Sequence, residues 1–172
     1  MGSFTVRRAR TTDVVAMQRL IAPLAEEGIL LGKELVTLYE TVQEFRVAEA
    51  EDGQIVGIGA LHVFWEDLGE IRTLVVAPPW LGRGVGRAVL QSLESEAREL
   101  GLRRLFCLTF EVEFFERNGF EVVADATAEK IVGSDAYFEL VRSPDEGIAE
   151  FLDLARVKQN TLGNSRMLKY LD

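Results

Sequence analysis

The sequence predicts a mixed α/β domain, and three features of its patterning indicate this class. A strand-like segment followed by an amphipathic helix opens the chain, three apolar segments joined by short polar turns come next, and a strand–helix–strand unit follows them. With 172 residues, 48% apolar and 27% charged, the chain can bury one sizeable core and has the composition of a folded protein. We therefore expect one domain over residues 1–172.

The first half of the chain predicts a strand and a helix followed by a meander of three strands. Residues 4–9 alternate as in a strand, and Asp13 is a candidate N-cap for the helix after it. A second helix is predicted over 33–42. The turn Glu51-Asp52-Gly53 joins two apolar runs into an antiparallel hairpin, and residues 68–76 add a third strand.

The second half predicts a helix between parallel strands and then a helical insert. Apolar residues recur every three or four positions over 84–100, which is typical of an amphipathic helix, and residues 103–110 form a buried strand parallel to the one before it. The later elements expected are a short helix ending at Asn118-Gly119, a strand at 121–123, a mostly helical insert over about 124–161 and a last strand at 165–171.

Composition and charge exclude several classes of function. A single cysteine, Cys107, rules out an internal disulfide, and with the single histidine His62 it makes a Cys/His zinc site untenable, so we expect no metal. The net charge of -9 argues against nucleic-acid binding. The chain has no long apolar span and its start lacks the apolar core of a signal peptide, so we expect no membrane partner and a cytoplasmic location. A small-molecule partner is the remaining expectation.

A glycine-rich turn, Gly82-Arg83-Gly84-Val85-Gly86, lies between the predicted third strand and the long helix. Amide groups at a helix start lack intrahelical partners and attract anions, and Arg83 and Arg87 can add positive charge at the rim. The turn lacks the Lys-Ser/Thr of a P-loop and the spacing of a dinucleotide fingerprint. A tight turn with close helix packing is the alternative that the residues leave open.

The segment LVVAPPWLGRGVGRAVLQSL, together with FFERNGF at 114–120, resembles the acetyl-coenzyme A signature of the GNAT acetyltransferase superfamily. The resemblance covers about residues 6–120 and the last strand. It implies a central mixed, mostly antiparallel twisted sheet with helices on both faces. It also implies acetyl-CoA as co-substrate, with Leu81 standing where the motif has Gln or Arg. The cofactor contacts that it implies come from Leu74, Val75 and Val76 beside the pantetheine arm and from Leu81, Gly82, Arg83, Gly84, Val85, Gly86 and Arg87 around the pyrophosphate.

The same resemblance implies the catalytic groups. Glu70 stands where superfamily members that use a glutamate place their general base, although an ion pair with Arg72 on the same strand face is the alternative. The Val76 N–H is the expected partner of the acetyl carbonyl. Phe115 replaces the tyrosine that often serves as acid and cannot donate a proton, so water, Ser165 or Tyr170 stay open.

A closer resemblance concerns the acceptor. Residues 28–78 are similar to the acetyltransferase domain of amino-acid N-acetyltransferases, the N-acetylglutamate synthases that begin arginine biosynthesis. This implies L-glutamate or L-glutamine as acceptor in a short form without an amino-acid-kinase-like domain. A homodimer is a separate expectation. A carboxylate acceptor needs cations, for which Lys33, Arg72 and Arg166 are candidates, and His62 either lies at the acceptor site or bonds a neighbour.

Other readings of the function stay open. A GNAT enzyme for a protein N-terminus, a lysine or another amine is the alternative enzyme, and a non-catalytic acetyl-CoA sensor is the alternative from another class. Cys107 invites a covalent mechanism, but a thiol within an apolar strand is more often inert.

Overall fold

The structure, a computed structural model, describes residues 2–30, 32–123, 127–152 and 165–172. A seven-stranded sheet forms its centre, with strand order β1-β2-β3-β4-β5-β7-β6. Of the six neighbouring strand pairs, five are antiparallel and β4–β5 is parallel, as predicted for a mixed, mostly antiparallel sheet. The strands are β1 Phe4–Arg8, β2 Phe45–Ala50, β3 Ile55–Val63, β4 Leu68–Val76, β5 Arg104–Thr109, β6 Glu121–Val122 and β7 Ser165–Tyr170.

The helices follow the predicted order with one difference in extent. They are α1 Val14–Glu26, α2 Leu35–Glu40, α3 Val85–Glu99, α4 Val112–Arg117, α5 Ala128–Val132, α6 Ser134–Leu140 and α7 Glu146–Phe151. The second helix is shorter than the predicted 33–42, because Glu34 before it is extended with a ψ of 149° and Thr41 after it leaves the α-helical conformation with a φ of -108°. No helix in the described ranges is both long and apolar enough for a membrane span.

The sheet buries helices on both of its faces, because alternate residues of each strand point to opposite sides. One face packs on α3, whose Val89 and Leu93 are fully buried against that side of the sheet. The other face carries α1 and α2 over β2–β4 and the insert helices α5–α7 over β5 and β7. The helices on both faces that the sequence predicted are therefore present.

Local turn chemistry fixes three of the predicted element boundaries. Gly53 closes the β2–β3 hairpin with a φ of 83°. Helix α4 ends in a Schellman motif, in which the Phe120 N–H donates to the Phe115 carbonyl at 3.0 Å and the two rings pack edge to face. Asp145 caps α7 by accepting from the Ile148 N–H at 2.9 Å. Residues 124–126 and 153–161 of the predicted insert lie outside the described residues.

Candidate active site

The parallel strands β4 and β5 are paired over only a short length in the described structure. Residues Leu68, Gly69 and Glu70 face β5, and beyond Glu70 the ladder between the two strands ends. β4 continues along β3, but with a bulge where Gly59 faces both Thr73 and Leu74, and Thr73 has a φ of 57°. The second half of β4 therefore has one edge without a strand partner.

The backbone of Val76 is directed to that open edge. The Ala77 N–H, directly after β4, donates to the carbonyl of Val56 in β3 at 2.8 Å. Because successive N–H groups along an extended strand point to opposite edges, the Val76 N–H points away from β3. This orientation leaves it available to a carbonyl oxygen lying along β4, which is the role that the sequence predicted for it.

The glycine turn connects this edge to helix α3. Gly82 and Gly84 have φ values of 74° and 81°, and a Cβ at either position would meet nothing within 4 Å. These two glycines are thus required by the backbone conformation and not by packing. Gly86 differs, since a Cβ there would lie 3.4 Å from the Phe114 ring and from the Val76 side chain.

The rim of the turn is positively charged. Arg83 and Arg87 are exposed, and the Arg83 guanidinium lies 5.1 Å from the centre of the Trp80 ring. Leu81 is 63% exposed. Val75 is buried in the core beneath α1 and α2, so only its main chain can face a ligand on the open edge. With the first amides of the 15-residue helix α3, this turn has the chemistry of an anion-binding site.

A cavity of about 370 Å³ lies beside the first half of β4. The segment before α2, strand β4, the end of β5 and the start of α7 form its walls, so residues distant in sequence meet there. Lining residues that carry charge are Lys33, Glu34, Glu70, Arg72, Asp145, Glu146 and Glu150. The described lining thus holds five carboxylates and two cations.

Glu70 is buried, with only 4% of the residue exposed, and its two carboxylate oxygens differ in their contacts. The Arg72 Nε and one terminal nitrogen of the same guanidinium donate to Oε2 at 2.8 and 2.5 Å. Among the described residues Oε1 accepts no hydrogen bond, and Glu70 lines the cavity. The ion pair with Arg72 that the sequence left as an alternative is therefore present, and it is compatible with a basic oxygen that faces the cavity.

Arg72 is bracketed by two carboxylates. Its terminal nitrogens donate to Asp145 Oδ2 and Oδ1 at 3.0 and 2.9 Å, and one of them also donates to Glu70, so the two carboxylates lie on adjacent edges of the guanidinium. Burial alone would lower the pKa of Arg72, but the charges of Glu70 and Asp145 raise it above its usual range. Burial likewise opposes ionisation of Asp145, yet hydrogen bonds from Arg72 hold its pKa well below normal. Both groups are charged at neutral pH.

Lys33 is the other cation of the cavity and has a different environment. It forms no ion pair or hydrogen bond with any residue that the structure describes. Burial, the largest effect, and the nearby charge of Arg72 lower the pKa of its ammonium group, while the carboxylates of Asp145, Glu70 and Glu44 oppose that shift only in part. A carboxylate ligand in the cavity would add a further charge that favours the protonated ammonium.

His62 and Arg166 lie outside the described lining of the cavity. His62 sits opposite Glu70 on β3, where its Nδ1 lies 2.9 Å from Glu44 Oε1 and its Nε2 lies 3.9 Å from Asp145 Oδ2. Arg166 on β7 donates to the Phe151 carbonyl at 3.3 Å. Direct contact of either residue with an acceptor stays a prediction.

Sequence reasoning missed Asp145 as a residue of the site. The stretch Ser143-Pro144-Asp145 predicted a helix start, and this is confirmed, but its pairing with Arg72 spans 73 positions and has no local signal. Two predictions about inert residues fit their surroundings. Cys107 is buried and its thiol pKa is raised by burial, and Phe115 is packed in the core at 5% exposure.

The chain belongs to the Acetyltransferase (GNAT) family, whose profile matches residues 17–120. It is 54% identical over 168 residues to the amino-acid acetyltransferase of Mycobacterium tuberculosis, covering 96% of this chain and 94% of that protein. The structure of Rv2747 from Mycobacterium tuberculosis, in complex with CoA and NLQ, matches with a TM-score of 0.91 and 54% identity, covering 98% of this chain and 99% of that one.

Longer relatives share the same unit. N-acetylglutamate synthase from Neisseria gonorrhoeae, complexed with coenzyme A and N-acetyl-glutamate, matches with a TM-score of 0.77 and 27% identity over 100% of this chain and 36% of that one. An amino-acid acetyltransferase of Neisseria meningitidis is 36% identical over 70% of this chain and 28% of its own length. In these proteins the matched unit is about a third of the whole or less.

Proposed function

We propose that this chain transfers the acetyl group of acetyl-CoA to the α-amino group of L-glutamine or L-glutamate, the reaction that begins arginine biosynthesis. The observation that carries the proposal is that Glu70 lines the cavity with an Oε1 that accepts no described hydrogen bond, on the same strand as the open edge that ends at the Val76 N–H. Relatives named amino-acid acetyltransferases and neighbours crystallised with CoA support the two substrates.

The proposed residues divide the chemistry. The turn at 81–87 holds the diphosphate through main-chain amides, with Arg83 and Arg87 at the rim, and Leu74 to Val76 lie along the pantetheine arm. Glu70 accepts a proton from the ammonium group of the acceptor, directly or through one water, and the neutral amine that results attacks the thioester carbonyl. The Val76 N–H stabilises the negative charge that develops on the carbonyl oxygen. Thiolate is a fair leaving group, so a water molecule can protonate it.

The charge of the cavity bears on which acceptor is preferred. One carboxylate of an amino acid can pair with Lys33, which lines the cavity and forms no ion pair or hydrogen bond with a described residue. A second carboxylate, as in glutamate, would enter a lining in which acidic side chains outnumber cationic ones by five to two. Glutamine avoids that repulsion because its side chain is neutral, so we propose it as the better acceptor of the two.

The test is a thiol-release assay with acetyl-CoA and a panel of acceptors. The panel contains each of the twenty amino acids, peptides with a free N-terminus, peptides with an internal lysine, and simple diamines. We expect turnover with glutamine and glutamate and an N-acetylated product by mass spectrometry. The five carboxylates of the cavity would also suit a cationic amine, so turnover restricted to lysine or diamines would replace the proposed acceptor with that class. Binding of CoA by calorimetry without turnover would indicate a sensor. A cytoplasmic location and a homodimer stay predictions.

A further inference from the structure

The start of helix α7 lines the acceptor cavity, and a chain of charged contacts links it to the proposed base. Asp145, at the start of α7, pairs with Arg72 on β4, and Arg72 pairs with Glu70 on the same strand. Asp145 lies beyond residues 17–120, the part of the chain that the family profile matches. The contact therefore joins an element outside the matched region to the proposed base.

Arg72 has little capacity left to bind a substrate. Its Nε and both terminal nitrogens donate to Glu70 and Asp145, and four of its five N–H groups are used in these bonds. The end of the guanidinium that usually receives a carboxylate in a two-bond arrangement is occupied by Asp145. A substrate carboxylate would have to displace it.

Asp145 is held too firmly to act as a displaceable group. Its Oδ1 accepts from both the Ile148 N–H and Arg72, each at 2.9 Å, while Oδ2 accepts from Arg72 at 3.0 Å. Leaving Arg72 would separate the half-buried Asp145 carboxylate from the largely buried guanidinium, and breaking such a pair is unfavourable. The Asp145–Arg72 pair is thus a fixed part of the cavity wall.

The first turn of α7 is shaped to admit the Arg72 side chain. A Cβ on Gly147 would lie 2.6 Å from a terminal nitrogen of Arg72, closer than atoms can approach. Glycine at this position lets the helix start rest directly on the guanidinium. Two independent features of α7 therefore face the Arg72 guanidinium. One is the carboxylate of Asp145, which caps the helix, and the other is Gly147, which has no side chain.

We propose that Asp145 is a positioning residue that, through Arg72, fixes the Glu70 carboxylate with Oε2 engaged and Oε1 facing the acceptor. The inference rests on the proposed function, in which Glu70 is the base. It assigns to the insert a part in the reaction, because α7 completes the wall against which the base is oriented. Arg72 then acts as the link between them and not as the carboxylate anchor that the sequence predicted.

Two substitutions separate this role from helix capping. Serine and asparagine are as good as aspartate at an N-cap, so Asp145→Ser and Asp145→Asn keep the bond to the Ile148 N–H but lose the charged pair with Arg72. We expect kcat with the preferred acceptor to fall by roughly 10-fold to 100-fold, since small misplacements of a reacting group have effects of that size. The KM for acetyl-CoA should stay unchanged.

A double-mutant cycle with Arg72→Gln tests whether Asp145 acts through Arg72. If it does, Asp145→Ser should cause a loss of less than about two-fold in the Arg72→Gln background, because residues that act as a unit are not additive. An equal loss in both backgrounds, or wild-type kcat in both Asp145 variants, would overturn the proposal. If neither variant folds, the role of Asp145 is stabilisation and the proposal also fails.

Asp67→Ser is the matched control. It breaks an aspartate–arginine pair of the same two-bond type, in which Arg104 donates to Asp67 at 3.0 and 3.1 Å away from the cavity, and kcat should be unaffected. A failure of the proposed function gives a different result from a failure of the positioning role. If the proposed function is wrong, the wild-type protein turns over no amino acid. The positioning role is tested by the ratio of variant kcat to wild-type kcat with the acceptor that is turned over.

Discussion

The two halves of the proposed site are built in different ways. The turn at 81–87 is contiguous, follows directly from β4 into α3, and offers mainly backbone amides held by two glycines of positive φ. The acceptor cavity is assembled from side chains of α2 and the segment before it, β4, β5 and α7, which are far apart in the chain. The first half depends on local conformation and the second on the complete fold.

This difference determines what a substitution can do in each half. A main-chain contact can be removed only by altering the backbone, so changes in the turn should act on one ligand and through conformation. The cavity depends on charges that are paired with one another, so substituting one charged residue should also change the position of the residues paired with it. Each of the following predictions tests one side of this contrast.

Glu70→Gln should have the largest effect, because it removes the basic oxygen but keeps the shape of the side chain. We expect the rate near neutral pH to fall by roughly 10²- to 10⁴-fold, the usual contribution of a general base. The loss should shrink at high pH, where the acceptor amine is already deprotonated. The pH dependence of kcat/KM for wild type and variant measures both effects.

Glu94→Gln serves as the matched control for the base. Glu94 is also buried, at 7% exposure, and is paired with Lys169 at 2.8 Å, but it lies on α3 and not among the described cavity residues. We expect it to lower stability and leave the pH profile unchanged. A Glu70→Gln profile parallel to that of wild type would contradict the base role.

Gly84→Val should have the next largest effect and should act on CoA alone. Valine in the left-handed conformation costs about 1–2 kcal/mol, so the turn is expected to rearrange and lose amide contacts with the diphosphate. Losing one or two charged hydrogen bonds corresponds to about 100-fold weaker CoA binding by calorimetry.

Gly101→Val separates this effect from backbone strain. Gly101 has a φ of 86° after the other end of α3, with nothing within 4 Å of an added Cβ, so the strain is similar but distant from the turn. Both variants should lower the melting temperature by comparable amounts. Equal CoA affinity in the two would show that the turn does not hold the diphosphate.

The sequence predicted the turn half of the site more fully than the cavity half. Element order, the β2–β3 hairpin, the start of α7 and the glycine turn follow from local rules of patterning, capping and φ, and these are confirmed. The Asp145–Arg72 contact joins positions 73 residues apart, and the charges around Lys33 likewise come from distant parts of the chain. No periodicity or motif specifies which of several surface charges will meet.

Lys33→Met should have a smaller effect than Glu70→Gln and Gly84→Val, and it should change only the KM for the acceptor. Lys33 lines the cavity without a described ion pair or hydrogen bond, and methionine keeps most of its apolar length while removing the charge. A charge-assisted hydrogen bond contributes about 1.5–3 kcal/mol, so we expect the acceptor KM to rise by at least about 10-fold with the acetyl-CoA KM unchanged.

Lys33→Arg sharpens the same prediction through pH. Because the pKa of Lys33 is lowered, the wild-type side chain loses its charge at a lower pH than an ordinary lysine, and the acceptor KM should rise there. Arginine stays charged, so in Lys33→Arg that alkaline rise should disappear while binding near neutral pH is retained. If methionine and arginine gave the same KM at every pH, the charge at position 33 would play no part in acceptor binding, and the carboxylate would have to pair with another cation.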